Sequence, residues 1–155
     1  MEHSVGSKTA PPPHSVIMQL LVGSWVPKVM AEVTRLGVPD ALKEYGPSTA
    51  GELTQRGIVA NTDALHRALR ACAALGIFSE DASGRFGLTA ISELLTRSAP
   101  GSLKKLTEVT GGLLWKVWNG LPEGLQTGLP QAHAQLGMDF FEYLTAHDQR
   151  AARAL

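Results

Sequence analysis

The chain has one cysteine in 155 residues, so it can form no internal disulfide. No Cys/His set has zinc-ligand spacing either. Charge of one sign is also missing. Lys+Arg and Asp+Glu are equal at 14 each, and they are spread evenly along the chain, so no basic stripe invites nucleic acid or an acidic membrane. The longest apolar stretches are interrupted at Gly23, Pro27, Lys28 or Glu32, which predicts that none approaches the ~20 residues of a membrane helix. The first 13 residues carry Glu2, Lys8 and Pro11 to Pro13 and lack the apolar core of a secretory signal. They read as a disordered tail, and the chain reads as cytoplasmic. No Gly-x-Gly-x-x-Gly or Gly-x-Ser-x-Gly pattern is present, which removes the usual signatures of dinucleotide binding and serine hydrolysis. A length near 150 is enough for one domain with its own core.

What remains is mostly helical patterning. Val16, Ile17, Leu20, Leu21, Trp25, Val29, Val33 and Leu36 recur at three and four, giving a helix apolar around much of its circumference. Such a helix needs cover on several sides, either as a central core helix or against another subunit. Pro27 predicts a kink or a second helix with Ser24 as N-cap, and Gly37 a stop. Thr49 and Glu52 have capping-box spacing. Asn61 can cap a helix carrying Leu65, Leu69 and Cys72 on one face and ending at Gly76. Ile77-Phe78-Ser79 and Arg85-Phe86-Gly87-Leu88 then flank a Gly-containing loop, as in a hairpin, and Thr89 can cap a helix through Leu95. Helix, turn, helix, hairpin is the order of a winged helix-turn-helix unit, so the expected fold class is mainly α with one small hairpin. Beyond Pro100, Gly111-Gly112 predicts a break between two helices. Pro122, Gly124, Gly128 and Pro130 predict a loop, and a further helix starts near residue 138. Helical character persists through Asp148 to Leu155.

Few residues are placed for chemistry. Cys72 sits in an Ala/Leu-rich run, as a core residue would. His66 reads as a surface or interface residue. His133, in the Pro/Gly-rich stretch, reads as solvent-facing or as facing a pocket. A winged-helix DNA-binding regulator is one reading of the middle third. Its recognition helix, however, would offer only Asn61, His66, Arg67 and Arg70, offset by Asp63, with Glu80 and Asp81 at the wing tip to repel phosphates. The aromatic residues, only 6% of the chain, gather late: Trp115, Trp118, Phe140, Phe141 and Tyr143, with Met138. This set suits either ordinary core or the wall of a pocket for a flat organic molecule.

Six stretches carry a family resemblance: RLGVPDAL at 35–42, STAGELTQRGIVANTDALHRALRACAALGIFSE at 48–80, GRFGLTAISELL at 84–95, APGSL at 99–103, WKVWNGL at 115–121 and GMDFFEYL at 137–144. In this order the chain resembles the N-terminal region of S-adenosylmethionine-dependent O-methyltransferases that act on small aromatic or polyketide natural products in bacteria and plants. The resemblance covers residues 15–155. It implies a helical dimerisation and substrate-binding domain over residues 14–155, an intertwined homodimer, and a winged unit that does not bind DNA. Carried over by position, Trp115, Trp118, Met138 and Phe141 are expected to wall the acceptor site. Met18, Leu21 and Trp25 are expected at the dimer seam, with no nucleic acid or membrane partner.

One departure is large. The family's Rossmann-like domain, with its Gly-rich loop for S-adenosylmethionine and its His general base, is not found in these residues. The chain is therefore expected to bind no cofactor itself, to hold no metal and no catalytic residue, and to work as the front part of a longer enzyme. Some relatives keep the fold and perform hydroxylation, decarboxylation or pericyclic chemistry, so the resemblance leaves the parent's reaction open.

Overall fold

A computed structural model describes residues 11–148. Most of the expected tail, 1–13, and the expected helical run after Asp148 fall outside the described residues. Pro13 already belongs to the first helix.

Helix α1 (Pro13–Gly23) leads into α2 (Trp25–Arg35). Ser24 does not cap α2. Its backbone is helical, and its hydroxyl donates to the carbonyl of Leu21 at 2.7 Å. Pro27 falls in the first turn of α2, where its missing N–H costs nothing. Glycine, serine and proline therefore interrupt the run less than their types suggest. Pro13–Arg35 is a 23-residue helical stretch containing an 18-residue window of mean hydropathy 1.3, long and apolar enough to cross a membrane by length and composition. The expectation that no segment reaches that length is thus corrected. The second half is a packing helix of the body, burying Ala31, Val33 and Thr34.

Gly37 takes the left-handed conformation (φ 84°) and turns the chain into α3 (Val38–Tyr45). Next come α4 (Ala50–Gln55), α5 (Thr62–Ala74), the strands β1 (Phe78–Glu80) and β2 (Phe86–Leu88), and α6 (Ala90–Glu93). The local chemistry matches the sequence closely here. Thr49 and Glu52 complete a reciprocal capping box, and Asn61 accepts the Ala64 amide at 2.9 Å. Thr89 caps α6, which stops two residues before Leu95. The strands pair antiparallel with Phe78 opposite Leu88 and Glu80 opposite Phe86, and a bridge from Ser48 to Phe86 ties the hairpin to the loop before α4. Val33, Val38, Leu53, Leu65, Leu69 and Phe86 close the main core over this unit. Cys72 is buried there, and burial pushes its thiol up to about 11, so it stays protonated at neutral pH.

Glu52 also clasps Arg85 through two hydrogen bonds at 2.7 and 3.0 Å, joining α4 to the hairpin. The Thr49 amide, aided by Arg85, holds its carboxyl below the ordinary 4.5, with desolvation opposing. A folded-state value below the unfolded one means the clasp stabilises above about pH 4.5 and is lost as pH falls through the folded value. The urea midpoint should therefore drop on acidification below pH 5, and Glu52→Gln should flatten that drop. An unchanged acid slope in the variant would remove Glu52 as its source.

The remaining helices are α7 (Lys104–Glu108), a π-helical turn (Val109–Leu113), α8 (Leu114–Trp118), α9 (Leu121–Thr127), α10 (Ala132–Leu136) and α11 (Phe140–His147). Two expectations are corrected here. Gly111-Gly112 does not separate two helices. It forms a wide turn inside a continuous helix, because α2 presses on it: a Cβ on Gly111 would lie 2.6 Å from the Pro27 carbonyl oxygen and would overlap Ala31. Pro122 and Gly124 likewise do not mark a loop. Pro122 starts α9, and Gly124 leaves room for the returning Gln131 side chain.

The two glycines should therefore respond oppositely to alanine. Gly111→Ala overpacks the crossing and should cost about 1–3 kcal/mol. Gly112 has open space where a Cβ would go, so Gly112→Ala should gain up to about 1 kcal/mol from helix propensity. Thermal unfolding of both variants distinguishes a packing role from a flexible break, in which case both would stabilise.

The C-terminal helices join the first lobe through Lys104. Its buried ammonium donates to the Thr34 carbonyl at 2.6 Å and pairs with Asp40 at 3.4 Å and Glu108 at 3.1 Å. A smaller core of Val109 and Leu144, with Leu113, Leu114 and Phe140 against it, closes this lobe.

Candidate functional site

Two apolar grooves meet at α8. The first, about 520 Å³, lies between the α1–α2 junction (Ser24, Pro27) and the residues Leu114, Trp115, Trp118 and Leu121. The second, about 390 Å³, runs on the other side of Trp118 and Leu121, along Val117, Gly124, Leu129 and Gln131. Trp118 stands between them with 60% of its surface exposed. No ionisable side chain lines either groove. The arrangement can grip a flat apolar molecule and exclude water, and it offers no group to take a proton.

Of the four residues expected to wall such a site, the structure brings Trp115 and Trp118 together. Met138 lies half-buried ahead of α11, and Phe141 is 60% exposed, edge-on to Phe140 with ring centroids 5.4 Å apart. Neither lines these grooves. His133 is exposed on α10 and lines neither of them. Pro27, Leu121 and Ser24 are lining residues that the sequence did not single out. Proline and serine read as helix punctuation there, and only the crossing with α8 turns them into a wall.

The second feature is α1 itself, which buries none of its residues. Met18, Leu21 and Trp25 are 55%, 58% and 65% exposed. The core-helix reading of the run from Val16 to Leu36 therefore holds for α2 and fails for α1, whose apolar circumference faces outward. A third groove, about 290 Å³, continues from Trp25 and Val22 past Val29 onto Ala71 and Cys72 of α5 and the Leu75 that follows it.

The middle unit does not present a DNA-reading face. Asn61 is spent on its cap, His66 lies edge-on to Phe86 at 5.6 Å, and Arg70 faces Glu80 at 3.5 Å. Asp81 accepts the Ser83 and Arg85 amides and the Ser83 hydroxyl within the hairpin loop, and these bonds, that of Arg85 foremost, hold its carboxyl below the ordinary range. Nothing in this geometry supports the DNA-binding alternative.

The described residues do not fit a methyl-donor site. Their two strands form an isolated hairpin, and neither leads through a glycine-rich turn into a helix N-terminus. Among them no cluster of three or more His, Cys, Asp or Glu is placed to hold a metal.

A helical body with an uncovered apolar helix, a capped helix-turn-helix-hairpin unit and an aromatic groove defines a domain built for contact with another polypeptide. Residues 18–98 match the O-methyltransferase dimerisation domain family, and the chain belongs to that family. It is 29% identical over 140 residues to phenazine O-methyltransferase PhzM of Lysobacter antibioticus, spanning 90% of this chain and 40% of that protein. The solved structure of LaPhzM superposes with a TM-score of 0.81 at 28% identity over 93% of this chain and 42% of that one. An O-methyltransferase from neocarzinostatin biosynthesis, solved with S-adenosyl-L-homocysteine and 1,4-dihydroxy-2-naphthoic acid, gives a TM-score of 0.65 at 28% identity over 78% of this chain and 37% of that one. The chain thus spans about two fifths of the length of the relatives it matches.

Proposed function

We propose that this chain forms a homodimer through α1 and supplies one wall of the acceptor pocket in an S-adenosylmethionine-dependent methyltransferase of natural-product biosynthesis. The observation that carries the reading is α1: an apolar helix with no buried residue, attached to a body that already has its own core. Exposed apolar area of this extent is stable in water only when covered, and Met18, Leu21 and Trp25 lie where a second copy would cover it. The acceptor class is a small flat aromatic or polyketide-like molecule, held by Trp115 and Trp118. Met138 and Phe141 are proposed to approach it once the rest of the enzyme closes over the groove. A relative solved with a dihydroxynaphthoic acid and the demethylated donor supports both the acceptor class and the cofactor of the parent enzyme.

This chain's contribution is shape and water exclusion, which pre-pay orientation. The proton acceptor and the donor site belong to the catalytic region of the parent. The proposed setting is the cytoplasm, with no nucleic acid or membrane partner. Light scattering at tens of micromolar tests the assembly: twice the mass of 16.5 kDa is expected, and a clean monomer sinks the dimer.

A further inference from the structure

We propose that the π-helical turn at Val109–Leu113, clamped by Lys28, is the device that aims Trp115 and Trp118 into the groove, making Lys28 and Gly111 positioning residues for its ligand. The identity of that ligand rests on the acceptor reading above; the aiming of the two indoles does not.

The helix from Lys104 to Trp118 runs without a break through the wide turn. Within it the Leu114 amide reaches back five residues to the Val109 carbonyl. An α-helix advances about 100° per residue, so one extra residue in a turn rotates everything after it by about that angle. Positions 115 and 118 face the α1–α2 junction because of this rotation. A regular α-turn would carry both indoles to a different side of the helix.

The wide turn is held from outside. The Lys28 ammonium donates to the Gly111 carbonyl at 3.0 Å, giving a carbonyl in the irregular turn a charge-assisted partner. One residue earlier, the Pro27 carbonyl oxygen sits only 2.6 Å from where a Cβ on Gly111 would be, so only glycine lets the helices approach this closely. Pro27 is also a wall of the groove that Trp115 and Trp118 line. A single turn of α2 therefore clamps the irregularity and forms the opposite face of the site, which fixes groove width and indole direction together.

The test uses the 155-residue chain with nitrogen-15 labelling, reading the indole N–H resonances of Trp115 and Trp118. Deleting Gly112 removes the extra residue. The expected result is a folded chain in which both resonances move and 2-naphthol no longer perturbs them, its affinity lowered roughly tenfold or more, as expected when aromatic walls leave an apolar site. A folded deletion variant with both resonances in place overturns the proposal. Should the deletion not fold, Lys28→Met decides: movement of both indole signals, restored by Lys28→Arg, supports the clamp, and unmoved signals overturn it. Failure of 2-naphthol to shift either resonance in the unaltered chain counts against the acceptor reading, and the resonance positions in the variants still decide the clamp.

Discussion

Leu21→Asp is expected to convert the proposed dimer into a folded monomer. Leu21 is 58% exposed on a helix with no buried residue, so the substitution removes little intramolecular packing. In a two-fold interface each change occurs twice. Losing two buried leucines costs about 3–6 kcal/mol at 1.5–3 kcal/mol each, before the added cost of confining two carboxylates. That corresponds to a roughly 10²–10⁴-fold weaker dissociation constant, enough to separate copies at micromolar concentration. Sedimentation or light scattering reads the mass, and circular dichroism checks that helicity is kept. Met18 and Trp25 are proposed for the same seam and should behave alike. A Leu21→Asp chain that remains dimeric at low micromolar concentration would move the interface elsewhere, the third groove beside Cys72 being the next surface to test.

Phe86→Ala should be the most damaging single substitution inside the fold. Phe86 is fully buried, exchanges both backbone hydrogen bonds with Ser48 at 2.9 Å, and receives the edge of His66. It is where the hairpin, the loop before α4 and the second helix of the middle unit meet. Truncation removes the ring and leaves a cavity that three hydrogen-bonded segments cannot collapse to fill, which typically costs about 3–5 kcal/mol. Against a domain stability of about 5–15 kcal/mol, this is a large share. The urea midpoint should fall by about 2 M for an ordinary denaturant slope. Phe141→Ala, at an exposed position, should shift it little. A Phe86→Ala loss below about 1 kcal/mol would mean the hairpin is dispensable to the core.

Much of the first lobe was legible because its signals are local. Thr49 with Glu52, Asn61 and Thr89 act on amides two or three residues away, so the spacing alone carries the information. The alternation of Phe78 and Phe86 with turn residues between them made the hairpin equally readable. The second lobe misled because proline and glycine have two uses. Pro122 opens α9 instead of ending a helix, and Gly111 and Gly124 are small because another segment passes over them. Nothing within a window of neighbours distinguishes a glycine that bends from one that yields space. Of the expected groove residues, Trp115 and Trp118 share a face at i,i+3 and were readable as a pair. Their opposite wall, Ser24 and Pro27, lies some 90 positions earlier in sequence.

The sequence by itself determined the caps, the hairpin, the buried Cys72 face and the balance of charge that leaves the middle unit without a DNA-reading surface. It also determined that residues 16 to 25 are too apolar to stand alone in water. Only the tertiary structure decided that this apolar helix lies outside the core, because the body closes on Leu53, Leu69 and Phe86 without it. Tertiary structure likewise made the Gly111-Gly112 pair a wide turn under Pro27, which depends on how closely two backbones distant in sequence can approach.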